Sequence, residues 1–288
     1  MIPLVRLATL MLAVALPLRA QDPLTLIGAA QQAQSARSFE GVVVFMHDGR
    51  FDAVRVVHRP GDAGFQQIAS LSGLPRALFR DARETRIESS GTARRLPSLV
   101  FAAQAFDAMR VGESYRIQQT SEERIAGFQA RVIDAVARDD VRHSQRLWIN
   151  PDNGLLLGVA LIGPRRETLQ QVMFTSLVVD PRTTPPVASA APRELAGSIS
   201  VPPPPGFRVI GIRVDGDRRS LIFSDGLAML TLYLEPRQDE LDRLTTLRRG
   251  ATQLASRQIG RQRAVVVGEV PLATAVDLAN RAAQALND

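Results

Sequence analysis

The sequence predicts an α+β protein, mostly antiparallel β, with a large curled sheet followed by a small sheet and one covering helix. Three observations predict it. Apolar stretches of strand length recur through residues 39–179, separated by turn dipeptides such as Asp48-Gly49 and Ser72-Gly73. A proline-rich segment at 180–206 breaks that rhythm. Beyond it, further strands lead into a C-terminal helix whose apolar residues recur at helical spacing.

The elements follow in order. Residues 1–20 carry Arg6, the apolar run "LATLMLAVALPL" (7–18) and the small residue Ala20, the pattern of a cleaved signal peptide. The run is short for a bilayer span. Next, "DPLTLIGAAQQAQSARS" (22–38) predicts a helix, with Asp22 as N-cap, Pro23 at the first position and Leu24, Ile27 and Ala30 on one face. About ten antiparallel strands in sequence order then suggest one meandering sheet that curls. Residues 96–109 interrupt them as a loop with a helical turn, and "PDNG" (151–154) marks a hairpin. The run Pro202–Pro205 favours extended, semi-rigid polyproline II.

The second part starts at Phe207. Its hairpin "RRSLIFSDGLAMLTLYLEP" (218–236) turns at Asp225-Gly226. In the second strand Leu227, Met229, Thr231 and Tyr233 point one way, and Ala228, Leu230, Leu232 and Leu234 the other. Both faces are largely apolar, whereas a surface hairpin shows one polar face. Residues 239–249 read as a solvated connector or a short helix. The helix from Pro271 presents Leu272, Val276, Ala279, Ala283 and Leu286 as one stripe, with Thr274, Asp277, Arg281 and Gln284 opposite. This helix covers only one hairpin face. The organisation expected is a cleaved signal peptide at 1–20, a large unit at 21–180, a linker at 181–206 and a small unit at 207–288.

Charge excludes less than it suggests. The formal charge is +6 and the calculated pI near 11, yet all 35 basic residues are Arg. Because Arg stays charged beyond about pH 12, a small excess of it drives the pI very high. There is no polybasic run and only 5% of residues are aromatic, which argues against a nucleic-acid partner. The chain has no Cys, so disulfides and lipidation through an N-terminal Cys are excluded. His47, His58 and His143 fall on separate strands without ligand-like spacing, so no metal site is expected. No nucleophile elbow, P-loop or dinucleotide-binding glycine pattern occurs. No catalytic residue and no cofactor is assigned.

Several segments together resemble a known family: "FEGVVVFMHDGR" (39–50), "RIAGFQARVIDAVARDDVRHSQRLWINPDNGLLLG" (124–158), "VPPPPGFR" (201–208), "LIFSDGLAMLTLYLEP" (221–236), "GATQLASRQIG" (250–260) and "VVVGEVP" (265–271). They are similar to the MucB/RseB proteins, in the same order and across nearly the whole mature chain. The resemblance implies a periplasmic, exported, soluble and non-lipidated negative regulator of a sigma-E-type stress factor. It implies an N-terminal unclosed β-barrel like that of the lipoprotein carriers LolA and LolB. It also implies binding to the periplasmic domain of a single-pass anti-sigma factor, which is thereby shielded from proteolysis. Release is implied to follow a lipid-like ligand, a lipopolysaccharide fragment or a lipoprotein acyl chain. The alternative is a periplasmic lipoprotein or lipid carrier. A homo-oligomer is left open.

Two sets of residues carry these expectations. Phe45, Phe101, Phe106, Met109, Trp148 and Met173 are large or flexible side chains that either line an apolar cavity in a curled sheet or form its core with the 22–38 helix. Phe223 and Tyr233 on the hairpin, with Arg208, Arg218 and Arg219 beside it, suit a partner surface, since aromatic and Arg side chains dominate interface energetics.

Overall fold

The computed structural model describes residues 22–60, 65–80, 84–97, 107–183, 201–237, 239 and 241–286. The expected signal peptide and most of the expected linker lie outside them. The chain opens with α1 (Pro23–Ala36), where the Asp22 carboxylate accepts from the Thr25 amide at 3.2 Å and Pro23 occupies the first turn. Strands β1 (Arg37–His47), β2 (Arg50–Arg59), β3 (Phe65–Ser70), β4 (Arg76–Arg80), β5 (Glu84–Ser89) and β6 (Thr92–Pro97) follow. After α2 (Ala108–Ser114) come β7 (Tyr115–Ile125), β8 (Phe128–Ala137), β9 (Ser144–Ile149), β10 (Leu156–Ile162) and β11 (Thr168–Thr183). The small unit holds β12 (Arg208–Asp215), β13 (Arg218–Ser224), β14 (Met229–Pro236), β15 (Arg243–Arg249), β16 (Thr252–Ile259), β17 (Gln262–Gly268) and α3 (Leu272–Ala285).

Among the described residues the first eleven strands form one antiparallel sheet in the order β6-β5-β4-β3-β2-β1-β11-β10-β9-β8-β7. Two expectations are corrected here. The strands do not form a single meander: β1 pairs with β11, and the sheet grows outward on both sides of that pair. Nor do they form a curled, unclosed barrel of the LolA type. The sheet is open and ends in two separate edges, β6 and β7. Hydrophobic alternation specifies strands and which of their faces are buried; it does not encode the tilt and stagger that roll a sheet up.

The large core lies where α1 meets the β8–β10 region. Leu26, Ile27 and Ala30 pack on Ile133, Leu147 and Ile149. Val132 and Ile133 are neighbours on β8 and both are buried, so this strand is covered on both faces.

The six-stranded sheet runs β12-β13-β14-β17-β16-β15. Its register lines up Leu221, Leu232, Val266 and Ala255 in one row beneath α3. The helix buries Thr274, Ala275, Leu278, Ala279, Ala282 and Ala283, while Leu272 is exposed. Of the stripe expected, Ala279 and Ala283 are buried and Val276 and Leu286 pack against the same core; Leu272 is the exception, and Thr274, expected on the opposite side, is buried. Small alanines on one side allow close approach to the sheet, and Leu278 fills the centre. The Asp225-Gly226 turn is also longer than expected: Ser224 pairs with Met229 across a four-residue loop. Residues 243–249, read as a connector or helix, are a strand.

Candidate functional site

The chemistry of the molecule concentrates where the two units meet. At one end of the contact, Asp225 is fully buried and its carboxylate accepts four hydrogen bonds. Its Oδ1 accepts from the amides of Leu227 (2.9 Å) and Ala228 (2.7 Å), shaping its own loop. Its Oδ2 reaches the large unit, accepting from the Tyr115 hydroxyl (3.0 Å) and Arg142 Nη1 (2.5 Å). Tyr115 is fully buried and Arg142 is 3% exposed.

Arg142 spends its remaining donors well. Nη2 donates to the Pro205 carbonyl at 2.6 Å and Nε to Asp139 at 3.0 Å, and the guanidinium lies 5.0 Å from the Phe207 ring centroid. Burial opposes its charge, but the hydrogen bond to Asp139 and the carboxylate of Asp225 outweigh that and hold it above its ordinary pKa. Burial and the Asp225 carboxylate push the Tyr115 phenol well up, so it remains a donor.

Backbone geometry fits around this group. Gly206 has φ +76°, and a Cβ there would stand 2.8 Å from Arg142 Nη2 and 3.0 Å from Ser114 Oγ. Thr274 Oγ1 donates to the Val141 carbonyl at 2.9 Å, and Arg281 donates to the Pro202 carbonyl at 2.6 Å. The proline run is thus pinned at both ends, by α3 and by Arg142.

The other end of the contact is thinner. The Gly250 amide donates to Asp48 at 2.7 Å, and Gln170 Nε2 donates to Glu269 at 2.7 Å. The Gly250 hydrogen bond, more than the nearby Arg248, holds the Asp48 carboxyl below the usual range. Between the two ends, Gln31 donates to the Gly226 carbonyl at 2.7 Å.

Two cavities lie along this contact. One, of about 560 Å³, is walled by Ile27, Leu147, Ile149, Val159 and Val172 of the large unit and by Leu227, Met229, Leu230 and Val267 of the small one. The second, of about 530 Å³, lies between β1–β4 and the β15–β16 turn. Phe45, Gln170 and Glu269 border both, so the Gln170–Glu269 hydrogen bond stands at the partition. Such largely apolar concavities with a few convergent polar groups suit a small amphiphile.

The residues singled out in the sequence fall in different places. Phe45 lines both cavities. Trp148 is buried in a second cluster of the large unit, with Phe39, Leu155 and Leu157, its indole N–H donating to Glu123 at 2.9 Å, and Met173 packs against that cluster. Met109 is exposed on α2, and Phe101 and Phe106 lie outside the described residues. Phe223 is fully buried under α3, whereas Tyr233 is 43% exposed on the opposite face. Arg208 lies 3.9 Å from Asp107, Arg218 lies 3.8 Å from Glu235, and Arg219 is half-buried opposite Leu234. Sequence reasoning missed Tyr115, Arg142, Gln170 and Glu269, and took Asp225 for an ordinary turn residue. Among the described residues no cluster of acidic and His side chains could hold a metal ion.

This contact accounts for the two apolar faces of the hairpin. Leu230, Leu232 and Leu234 face α3. On the other face Leu227 packs against the large unit, Met229 and Thr231 line the larger cavity, and Tyr233 reaches solvent.

Comparison with known proteins gives a consistent answer. The chain matches the MucB/RseB N-terminal domain over residues 22–196 and the MucB/RseB C-terminal domain over residues 200–283. It is 26% identical over 285 residues to the sigma factor AlgU regulatory protein MucB of Pseudomonas aeruginosa, covering 89% of each chain. A crystal structure of MucB in complex with MucA(peri) is 25% identical, with TM-score 0.62, covering 90% of this chain and 97% of that one. A Pseudomonas aeruginosa MucA/MucB complex gives 24% identity and TM-score 0.64 over the same shares. The protein thus belongs to the MucB/RseB family.

Proposed function

We propose that this protein binds the periplasmic part of a single-pass membrane anti-sigma factor, shields it from regulated proteolysis and releases it in response to a lipid-like ligand. It acts in the periplasm, as a regulator and not as an enzyme. The observation that carries the binding reading is the likeness to MucB solved in complex with MucA(peri), which extends over 97% of that chain. Shielding needs no catalytic group: a bound segment is inaccessible to a protease in proportion to the fraction bound. Release needs a ligand that favours a conformation with lower affinity for the partner. The cavities between the units are where an acyl chain would act, with Phe45 on the wall they share. The linker at 181–206 is the segment across which the two units, 21–180 and 207–288, would reorient.

For the partner surface, Tyr233 is the natural anchor, with Arg208, Arg218 and Arg219 nearby and Phe223 supporting the sheet from beneath. Replacing Tyr233 by Ala is expected to cost about 2 kcal/mol of partner affinity, roughly a thirtyfold weaker complex, with melting little changed. Titration calorimetry against the anti-sigma periplasmic domain measures it. Absence of any complex with the unaltered protein would sink the reading. The cavities also favour the alternative of a lipid or lipoprotein carrier. A carrier would take up acylated ligand yet leave the anti-sigma domain open to its protease, which a protection assay resolves.

A further inference from the structure

The most open backbone of the small unit is its last edge. β15 has β16 as its single neighbour in the sheet, and all seven of its residues are exposed. Edge strands are normally blunted by bulges, prolines, charged side chains or short length. The other edges follow that practice: β12 carries a register shift between Val209 and Gly211, β7 one between Gln119 and Ser121, and β6 ends in Pro97. By contrast, β15 pairs with β16 without a break from Arg243↔Gln258 to Arg249↔Thr252. Its outer side is a regular, unbulged template.

Hairpin geometry says which groups face outward. Gly250 and Ala251 form a two-residue turn, so Arg249 and Thr252 are the closing hydrogen-bonded pair. Alternate residues of an antiparallel strand direct both backbone groups to the same neighbour. Arg243, Thr245, Leu247 and Arg249 therefore serve β16. Leu244, Thr246 and Arg248 turn their N–H and C=O groups to the open side.

Charge selects the occupant. Residues 243–249 include Arg243, Arg248 and Arg249 and no acidic residue. Arg243 and Arg249 make no ion pair among the described residues, and Arg248 lies 4.0 Å from Asp48. Leu244 and Leu247 stand between these cations, 44% and 65% exposed. A guest strand that completes this edge needs carboxylates near its ends and apolar side chains at its middle.

We propose that β15 is a docking edge, where an extended acidic segment of the anti-sigma partner adds to the small sheet as a seventh strand. The proposal rests on the partner reading above and specifies its mode: backbone hydrogen bonds supply the binding, and the arginines select for an acidic sequence.

Amide hydrogen exchange on the full chain, free and with the anti-sigma periplasmic domain, is the test. The amides of Leu244, Thr246 and Arg248 are expected to exchange at least about tenfold more slowly in the complex. Arg243→Glu should weaken the complex roughly three- to tenfold at low salt, and raised salt should shrink that difference. Thr246→Pro removes an outward donor at a site an edge tolerates, and should weaken it about tenfold or more. A complex that forms while these three amides exchange at their free rates overturns strand addition and leaves the partner reading standing. Absence of a complex overturns both. Protection that grows with protein concentration, without partner, would assign the edge to a second copy of the chain and overturn the proposal.

Discussion

The two ends of the contact between the units are held by different means. At one end Asp225, Arg142 and Tyr115 are withdrawn from water and bonded to one another, to the 225–228 loop and to the proline run. At the other, Asp48–Gly250 and Gln170–Glu269 are single hydrogen bonds beside the cavities. A buried charge pair contributes little net stability against an apolar substitute, but it is costly to break by removing one partner. An isolated, partly solvated hydrogen bond is worth about 1 kcal/mol, since water replaces what is lost. The first end therefore behaves as a fixed pivot and the second as a clasp. A ligand entering the cavities would work against the clasp.

The largest effect should come from removing the pivot's carboxylate. Asp225→Ala leaves the buried Arg142 with Asp139 as its remaining carboxylate and strips the partners of Tyr115 and of the Leu227 and Ala228 amides. A loss of about 3–5 kcal/mol is expected, read by urea denaturation. A loss below about 1 kcal/mol would mean that water reaches this end, and the contrast would collapse. The clasp should respond much less: Glu269→Ala is expected to cost about 1 kcal/mol or less. Its larger effect should be faster exchange of the Gly250 amide as that end opens. Equal losses from the two variants would show two equivalent seams rather than a pivot and a clasp.

Much of the fold was legible in the sequence because it is local. Asp22-Pro23 sets the start of α1, and alternation in "LAMLTLYL" assigns Leu230, Leu232 and Leu234 to one face of β14. That the sheet does not curl was not legible, because alternation is the same in a rolled sheet and in one that is not. Strand β15 was missed because all its residues are exposed, so it has no buried face to leave a pattern. The pivot was missed for another reason. Tyr115, Arg142 and Asp225 lie 27 and 83 residues apart along the chain, and each looks locally like a strand start, a charged turn and a hairpin turn. Nothing in one sequence pairs them. Of the six residues expected at an apolar cavity, Phe45 reaches the walls described, while Trp148 and Met173 serve the core behind them.

The smallest expected effect is a dependence on pH, and it singles out the pivot's neighbour. His143 follows Arg142 on the loop that enters the small unit and is 8% exposed. Burial holds its imidazole below the ordinary value, partly offset by a backbone hydrogen bond with Val270 and by Glu167. His58 is lowered as well, by burial first and then by Arg80. In the unfolded chain both rings take a proton near pH 6.5; in the folded chain they resist it. The unfolded state therefore binds more protons on acidification, so stability is complete above about pH 6.5 and declines as the pH falls toward the folded values. Carboxylates with lowered values, such as Glu40 and Glu167, begin to contribute only below their ordinary range of about 4. The histidine effect thus begins near pH 6.5, above the range of the carboxylates. Melting temperature should fall as the pH drops below that point, and less steeply in His143→Gln. His143 adjoins Arg142 in the chain, so Leu227 and Ala228 amide exchange should quicken with acid as this loop loosens. The same melting slope in both proteins would leave His143 without a part in the pH response.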